Sequence, residues 1–381
     1  MAWALAVATA LLCASAVHAD DERPLRVAVV GEGVIGTSTA FAIKSLDPEA
    51  DITVYHDKDF NDILSKGIAG LFRIDDGTPI NMIYGRDTFD RLAYLWRTVG
   101  GHSGVQMLSG HILSQDRSKL DSQWHNYGDI VYNYHNLTRR EMQSQFNIES
   151  LDTYEGIHYT AYTSEGARYV PWMKKQLLEV YDVKYIKEFI SDLEELASRG
   201  YDVVVNCGGL AGGKLAGDGD EVNMFPIRGM LLKTKATWQK HFLYRDFLTF
   251  TIPVIDAVYV GTVKAEHNDS LVLDQATVNL IWKSYLELQP AFMEEEVIDT
   301  FVGLRPARVG GVRVERDDRI SKTGANFTVV HNYGHSGNGF TLGWGSAMHA
   351  AKLVLNRDVS EYIKAKSQSK VSNSVEDLLE K

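Results

Sequence analysis

The 381-residue sequence predicts an α/β fold in two parts: a doubly wound, largely parallel domain assembled from separated segments, and a second, antiparallel domain that interrupts it. Three observations predict it. First, a continuous apolar run from Val27 to Val30 stops at Gly31, helical spacing follows through Val34, Ala40, Phe41 and Ile43, and a second short apolar run, "DITVY", ends at Tyr55. Strand, helix and strand within about thirty residues make a parallel unit. Second, the same signal returns in "YDVVVNCGGLAG" near residue 205 and in "VVHNYGHSGNGFTLGWGSA", where a glycine loop leads into a helix starting near Gly339. Third, the middle of the chain differs. "FLTFTIPVIDAVYVGTV" reads as two strands around a turn near Asp256, and "DQATVNLIWKSYLELQP" puts Val278, Ile281, Trp282 and Tyr285 on one helical face.

Taken in order, "MAWALAVATALLCASAVHA" (1–19) has no charged side chain, an apolar run too short for a comfortable membrane span, and small residues before Ala19. It reads as a secretory signal peptide cut after Ala19. Segments 20–75, 160–220 and 300–358 are assigned to the parallel domain, 76–159 and 221–299 to the antiparallel one, and 359–381 to a polar tail expected to fray from about Arg357. Removing the leader removes Cys13 and leaves Cys207, so no internal disulfide is expected. Sequons at Asn136, Asn268 and Asn326 agree with export and glycosylation, as does a C-terminus, "EDLLEK", without a peroxisomal S-K-L. A net charge of −11 without basic clusters argues against nucleic acid, and no later run is long enough for a membrane span.

Gly31, Gly33 and Gly36 form G-x-G-x-x-G between strand and helix, a Rossmann-like phosphate loop. The first glycine makes the turn, the second lets a pyrophosphate reach the backbone, and the third lets helix and strand pack. Asp57, 21 residues after Gly36, is placed to accept from ribose hydroxyls. Such a site serves NAD or FAD. A second helix N-terminus near Gly339 would suit a redox ring that gains negative charge, which favours flavin. His331 and His335 read as loop-fixing residues, because no set of metal ligands accompanies them.

Val329 to Ala347 resembles the signature of the D-amino-acid oxidase family, and "GEGVIGTSTA", "GIAGLF", "VVVNCGGL", "FPIRGM" and "GLRPARVGG" match further blocks in order. "NCGGLAGGKLAGD" looks closer to the D-aspartate oxidases of that family than to oxidases of neutral D-amino acids. The resemblance implies FAD as cofactor. It implies that Gly31, Gly33, Val34, Ile35 and Gly36 hold the pyrophosphate, and that Asp57 and Lys58 meet the adenosine. Ser65 and Gly70 would lie nearer the phosphates and ring, Ile190 at the adenine, and Gly337, Gly339, Phe340 and Thr341 along the flavin edge. Arg305 would grip the substrate α-carboxylate, as a planar guanidinium can, and the Gly337 carbonyl would face the amine. Arg308 reads as structural.

The family usually has a tyrosine where Phe250 stands, and its D-aspartate oxidases often have an arginine where this chain reads Val263-Lys264. A second cation for an acidic side chain is therefore sought among Arg228, Arg73 and Lys264. The expected function is that of a secreted oxidase converting D-aspartate and D-glutamate, with dioxygen, to 2-oxo acids, ammonia and hydrogen peroxide. No protein nucleophile is called for. An oxidase of neutral D-amino acids, a non-catalytic secreted FAD-carrying binder and an NAD-dependent dehydrogenase remain alternatives.

Overall fold

The computed structural model describes residues 23–368. The segment 1–19 expected to be a signal peptide, Cys13 and the last part of the tail lie outside them. Among the described residues the chain builds two sheets, one of six strands and one of nine.

The six-stranded sheet runs Arg313–Ile320, Asn326–Tyr333, Val203–Asn206, Arg26–Val30, Asp51–His56, Lys184–Lys187. All neighbours are parallel except the first pair. Val27, Ala28 and Val29 are completely buried because the strand is covered on both faces, which is why its sequence shows no alternation. The helix Val34–Leu46 packs against the helix Gly339–Val354 on one face of this sheet. The two glycine loops thus end up side by side although some 300 residues separate them.

The nine-stranded sheet holds Val105–Ser114, Tyr132–Asn136, Glu155–Ser164 and the strands from Met224 to Glu266. Thr249–Pro253 and Val258–Gly261 pair antiparallel around the turn near Asp256. The helix Gln275–Leu288 buries Val278, Ile281, Tyr285 and Leu288, so Leu288 replaces the half-buried Trp282 on the inner stripe. Val297–Arg308 pairs along its length with Met224–Thr234. Residues 300–308, which the sequence assigns to the parallel domain, are therefore a strand of the antiparallel sheet, as are 160–164.

The tail also departs from expectation. Residues 360–368 are helical, and Tyr362 is buried with its ring stacked 4.1 Å from that of His349. One buried aromatic and the buried Ala365 anchor a segment that is otherwise mostly polar.

Candidate active site

Gly31 has φ +113°, and a Cβ there would lie 2.5 Å from the Cys207 carbonyl oxygen; one at Gly36 would lie 1.8 Å from the Gly31 carbonyl oxygen. Both positions exclude a side chain. At Gly33 a Cβ would meet only the Ser65 hydroxyl, at 3.1 Å, so it would fill the cradle in front of the helix. Gly33 is the N-cap of Val34–Leu46, so the N-cap residue supplies no side chain, and no acid stands in the first turn. The Val34 N–H donates to Ser65 Oγ at 3.0 Å. The neighbouring helix, Gly339–Val354, likewise has no side-chain cap and no acid in its first turn. The two first turns meet, since a Cβ at Gly339 would lie 3.7 Å from Val34 and one at Gly343 3.3 Å from Ile35. Two adjacent helix N-termini whose N-cap residues supply no capping side chain, only Ser65 reaching one N–H, and a cradle that only glycine leaves open fit a dinucleotide carrying two phosphates.

Around this cradle, Asp57 and Lys58 are exposed at the end of the second strand, and Ile190 is buried beside Val30 and Tyr55. Gly70 has φ +72° and packs where a Cβ would lie 2.2 Å from the Ser164 carbonyl oxygen. Phe340 is buried at 8% exposure, and Thr341 Oγ1 accepts from the Arg73 N–H at 3.4 Å. One charge escapes sequence reasoning. Glu32, between the first two glycines, is 3% exposed and receives Lys174 Nζ at 2.6 Å on Oε2. His56 Nδ1 lies 3.3 Å from Oε1. Lys174 balances an anion that would otherwise oppose a pyrophosphate, and no local motif announces a partner 142 residues away.

The Gly337 loop faces the antiparallel sheet. A Cβ at Gly337 would lie 3.5 Å from Asp75 Oδ2, 3.6 Å from Arg305 Cδ and 3.9 Å from Arg305 Nε. The Arg305 guanidinium lies over Gly229, where a Cβ would come within 2.4 Å of it. Its Nη1 is buried and has no hydrogen-bond partner. Burial pushes the Arg305 guanidinium down from its ordinary value against the pull of Asp75. Arg73 ion-pairs with Asp75, reaches Gln123 Oε1 at 3.4 Å, and lies over the rings of Tyr244 and Phe247. Asn338 braces the pair, accepting from the Asp75 N–H at 3.0 Å and donating to Asp75 Oδ2 at 2.9 Å. Lys264 is exposed at the rim; partial removal from water, then Arg73 and Arg305, lower its ammonium against the pull of Asp75.

Phe250 is buried and stacks on Tyr244, its cross-strand partner, with centroids 4.7 Å apart. Burial pushes the Tyr244 phenol up to about 12, against the opposing field of Arg73. A hydroxyl is thus present one strand away from the position where the sequence lacks one.

Arg228 needs correcting. It pairs with Leu304, so the side chain of the next residue, Arg305, projects from the opposite face of the sheet. The Arg228 guanidinium donates to the carbonyls of Ser270 at 2.9 Å and Val272 at 2.6 Å, and lies 3.5 Å from Asp274. It pins the loop before Gln275–Leu288 and does not enter the pocket.

The two histidines are buried and structural in their contacts. His331 Nδ1 lies 3.3 Å from Asn206 Nδ2, and His335 Nε2 lies 2.9 Å from Ser346 Oγ. Among the described residues no three metal-ligating side chains converge, and no helix is long and apolar enough to cross a membrane.

Comparison with known proteins agrees with this geometry. Residues 26–353 match the family model described as FAD dependent oxidoreductase. The chain is 47% identical to D-aspartate oxidase 1 of Caenorhabditis elegans over 331 residues, 86% of this chain and 96% of that one. It is 32% identical to D-aspartate oxidase of Homo sapiens over 338 residues, 86% and 94% of the two chains. Glycine oxidase from Bacillus cereus shares the fold, with a TM-score of 0.71 at 15% identity over 90% of this chain and 98% of that one. With two adjacent helix N-termini over a glycine cradle and a guanidinium nitrogen without a partner beyond it, the chain belongs to the family of FAD-dependent oxidoreductases that includes the D-aspartate oxidases.

Proposed function

We propose that the protein oxidatively deaminates acidic D-amino acids, D-aspartate and D-glutamate, to 2-oxo acids and ammonia. The observation that carries this reading is the unpartnered, buried Nη1 of Arg305 in a pocket that holds a second guanidinium, Arg73. A buried donor without a partner is unfavourable in the free protein and favourable once a carboxylate arrives. The names of the relatives, D-aspartate oxidases, support D-aspartate.

FAD, when bound, supplies two-electron oxidation of the substrate Cα–N bond, with dioxygen accepting the electrons as hydrogen peroxide. The chain's own residues position the substrate. Arg305 grips the α-carboxylate and the Gly337 carbonyl receives the amine, which fixes the α-hydrogen relative to the ring edge lined by Gly339, Phe340 and Thr341. Arg73 and Lys264 stand for the side-chain carboxylate in place of Arg228. The buried rings of Tyr244 and Phe250 exclude water from that side. The product imine hydrolyses to the 2-oxo acid.

One observation favours neutral D-amino acids instead: Arg73 already has an anion, Asp75. The deciding measurement is kcat/KM for D-aspartate and D-alanine in the wild type and in Arg73→Ala. The acidic reading expects the wild type to prefer D-aspartate, and the variant to lose about 2–3 kcal/mol on D-aspartate while keeping D-alanine. Equal losses on both substrates would remove Arg73 from the side-chain site. Export and glycosylation are part of the proposal. They are supported by residues 1–19 and by the exposure of Asn136, Asn268 and Asn326. Recovery from the medium with an N-terminus at Asp20 is the expected result.

A further inference from the structure

The pocket contains a carboxylate that the reading above leaves without a task. Asp75 lies between the two arginines. Its Oδ1 is on Arg73, and its Oδ2 is 3.5 Å from the point above Gly337 that lies 3.6 Å from Arg305 Cδ. Arg73, Arg305 and Lys264 all lie within its field. Asn338 holds it by two hydrogen bonds, so its position is set by the loop that also carries Gly337. A carboxylate has about four acceptor positions; the Asp75 side chain keeps 38% of its surface open.

An acidic amino acid carries two carboxylates with an ammonium on the carbon beside one of them. Read across the pocket, the protein offers cation, anion, cation. The signs are complementary and come in the same order. We propose that Asp75, beside the Gly337 carbonyl, receives a second N–H of the substrate α-ammonium when the α-carboxylate is on Arg305 and, resting on the acidic reading above, the side-chain carboxylate is on Arg73. Asp75 is then a specificity-determining residue. It attracts free amino acids and repels dicarboxylic acids that lack the amine, which would otherwise fill a pocket of three cations as inhibitors.

A purely structural role for Asp75, bracing Arg73 and Asn338, makes a different prediction, because its loss would then weaken all ligands together. The test uses the FAD-loaded enzyme and ligands that cannot be oxidised, with binding read from the flavin absorbance. The pair 2-methyl-D-aspartate and 2-methylsuccinate differs only in the amine. The wild type is expected to bind the amine at least about tenfold tighter. Asp75→Asn is expected to lose about ten- to a hundredfold on 2-methyl-D-aspartate and to gain several-fold on 2-methylsuccinate. Parallel changes on both ligands would overturn the assignment. So would equal affinities in the wild type, a comparison that needs no variant to fold. Asp75→Ser serves as a second variant with the same two expectations.

The neutral pair 2-aminoisobutyrate and isobutyrate separates this inference from the acidic reading. If Arg73 holds no side chain but Asp75 holds the amine, the neutral pair shows the amine preference and its loss in Asp75→Asn, while D-aspartate shows no advantage over D-alanine. If Asp75 is only a brace, neither pair changes sign.

Discussion

Two charge clusters flank the end of strand Val297–Arg308, and they are built on opposite plans. In one, Asp220 takes both ends of the Arg308 fork at 2.8 and 2.7 Å, the Tyr333 hydroxyl at 2.6 Å and Asn223 Nδ2 at 2.8 Å. Arg313 then donates to Tyr333 at 2.8 Å and to Asp218 at 2.6 Å. Burial works against the Asp220 charge, but Arg308, Tyr333 and Asn223 more than offset it and hold its carboxyl well below the ordinary range. In the other, three residues earlier on the strand, the Arg305 guanidinium has a buried nitrogen with nothing to donate to. The first cluster is complete without a ligand; the second is not. The difference teaches that an arginine on this strand reads as structure or site according to whether its donors are used, and not according to its burial.

Breaking the complete cluster should give the largest effect. Asp220→Ala leaves the half-buried Arg308 fork without its anion, while Arg313 keeps Asp218 and Glu315, and is expected to destabilise by about 3–5 kcal/mol. Its stabilisation is present above the ordinary carboxylate pKa and is lost as pH falls toward the depressed native value. Thermal or urea unfolding measures this. The kcat/KM of the variant that remains folded should match the wild type. A variant with normal stability would show that the cluster is redundant.

Breaking the incomplete cluster should reverse the pattern. Arg305→Ala is expected to lose about 2–5 kcal/mol in kcat/KM on every substrate, roughly 30- to 4000-fold. Its unfolding midpoint should stay level or rise, because a desolvated guanidinium is removed. If the midpoint falls as far as in Asp220→Ala while catalysis survives, the contrast between the clusters is wrong.

What could be read from the sequence follows from the distance over which each feature is determined. The glycine cradle is partly local. Gly36 acts on the Gly31 carbonyl five residues before it, so spacing carries that signal, whereas Gly31 also meets the Cys207 carbonyl at the end of a strand far along the chain. Arg305 was legible because a proline follows it in a block that matches a family. Arg228 was not, because its partners are carbonyls 42 and 44 residues away and its orientation depends on a register that places it opposite Leu304. One residue of register decides which face a strand arginine uses. The same ignorance of pairing hid that 300–308, assigned to the parallel domain, pair with Met224–Thr234. Asp75 could have been noticed, since it stands two residues after a candidate cation in "FRIDD", but an acid in a loop is usually solvated. Glu32 carried a weaker sign, an acid inside a phosphate loop. The helix at 360–368 is held by two buried side chains, Tyr362 and Ala365, and by ion pairs of Glu361 and Lys366, too few apolar residues for composition to reveal.

The smallest expected effect tests the ground on which the pocket stands. His335 precedes the Gly337 loop, is 3% exposed, and burial pushes its imidazole down to about 3. In the unfolded chain the same imidazole titrates near 6.5. As pH falls through that value the unfolded state takes up a proton that the native state refuses, so native stability is complete above about 6.5 and declines below it. At pH 5.5 the loss from one such group is about 1.4 kcal/mol. His331, pushed to about 4, and His349, to about 3, add losses of the same sign. In His335→Asn one of these contributions disappears. Whatever the substitution does at pH 7.5, the further loss between pH 7.5 and 5.5 should shrink by about 1.4 kcal/mol relative to the wild type, as measured by urea unfolding at the two pH values. The Arg305 pocket should be unaffected, so the D-aspartate KM at pH 7.5 should hold. Parallel stability curves would mean that His335 accepts its proton in the native state. The loop that carries Gly337 would then be looser in acid than its burial implies.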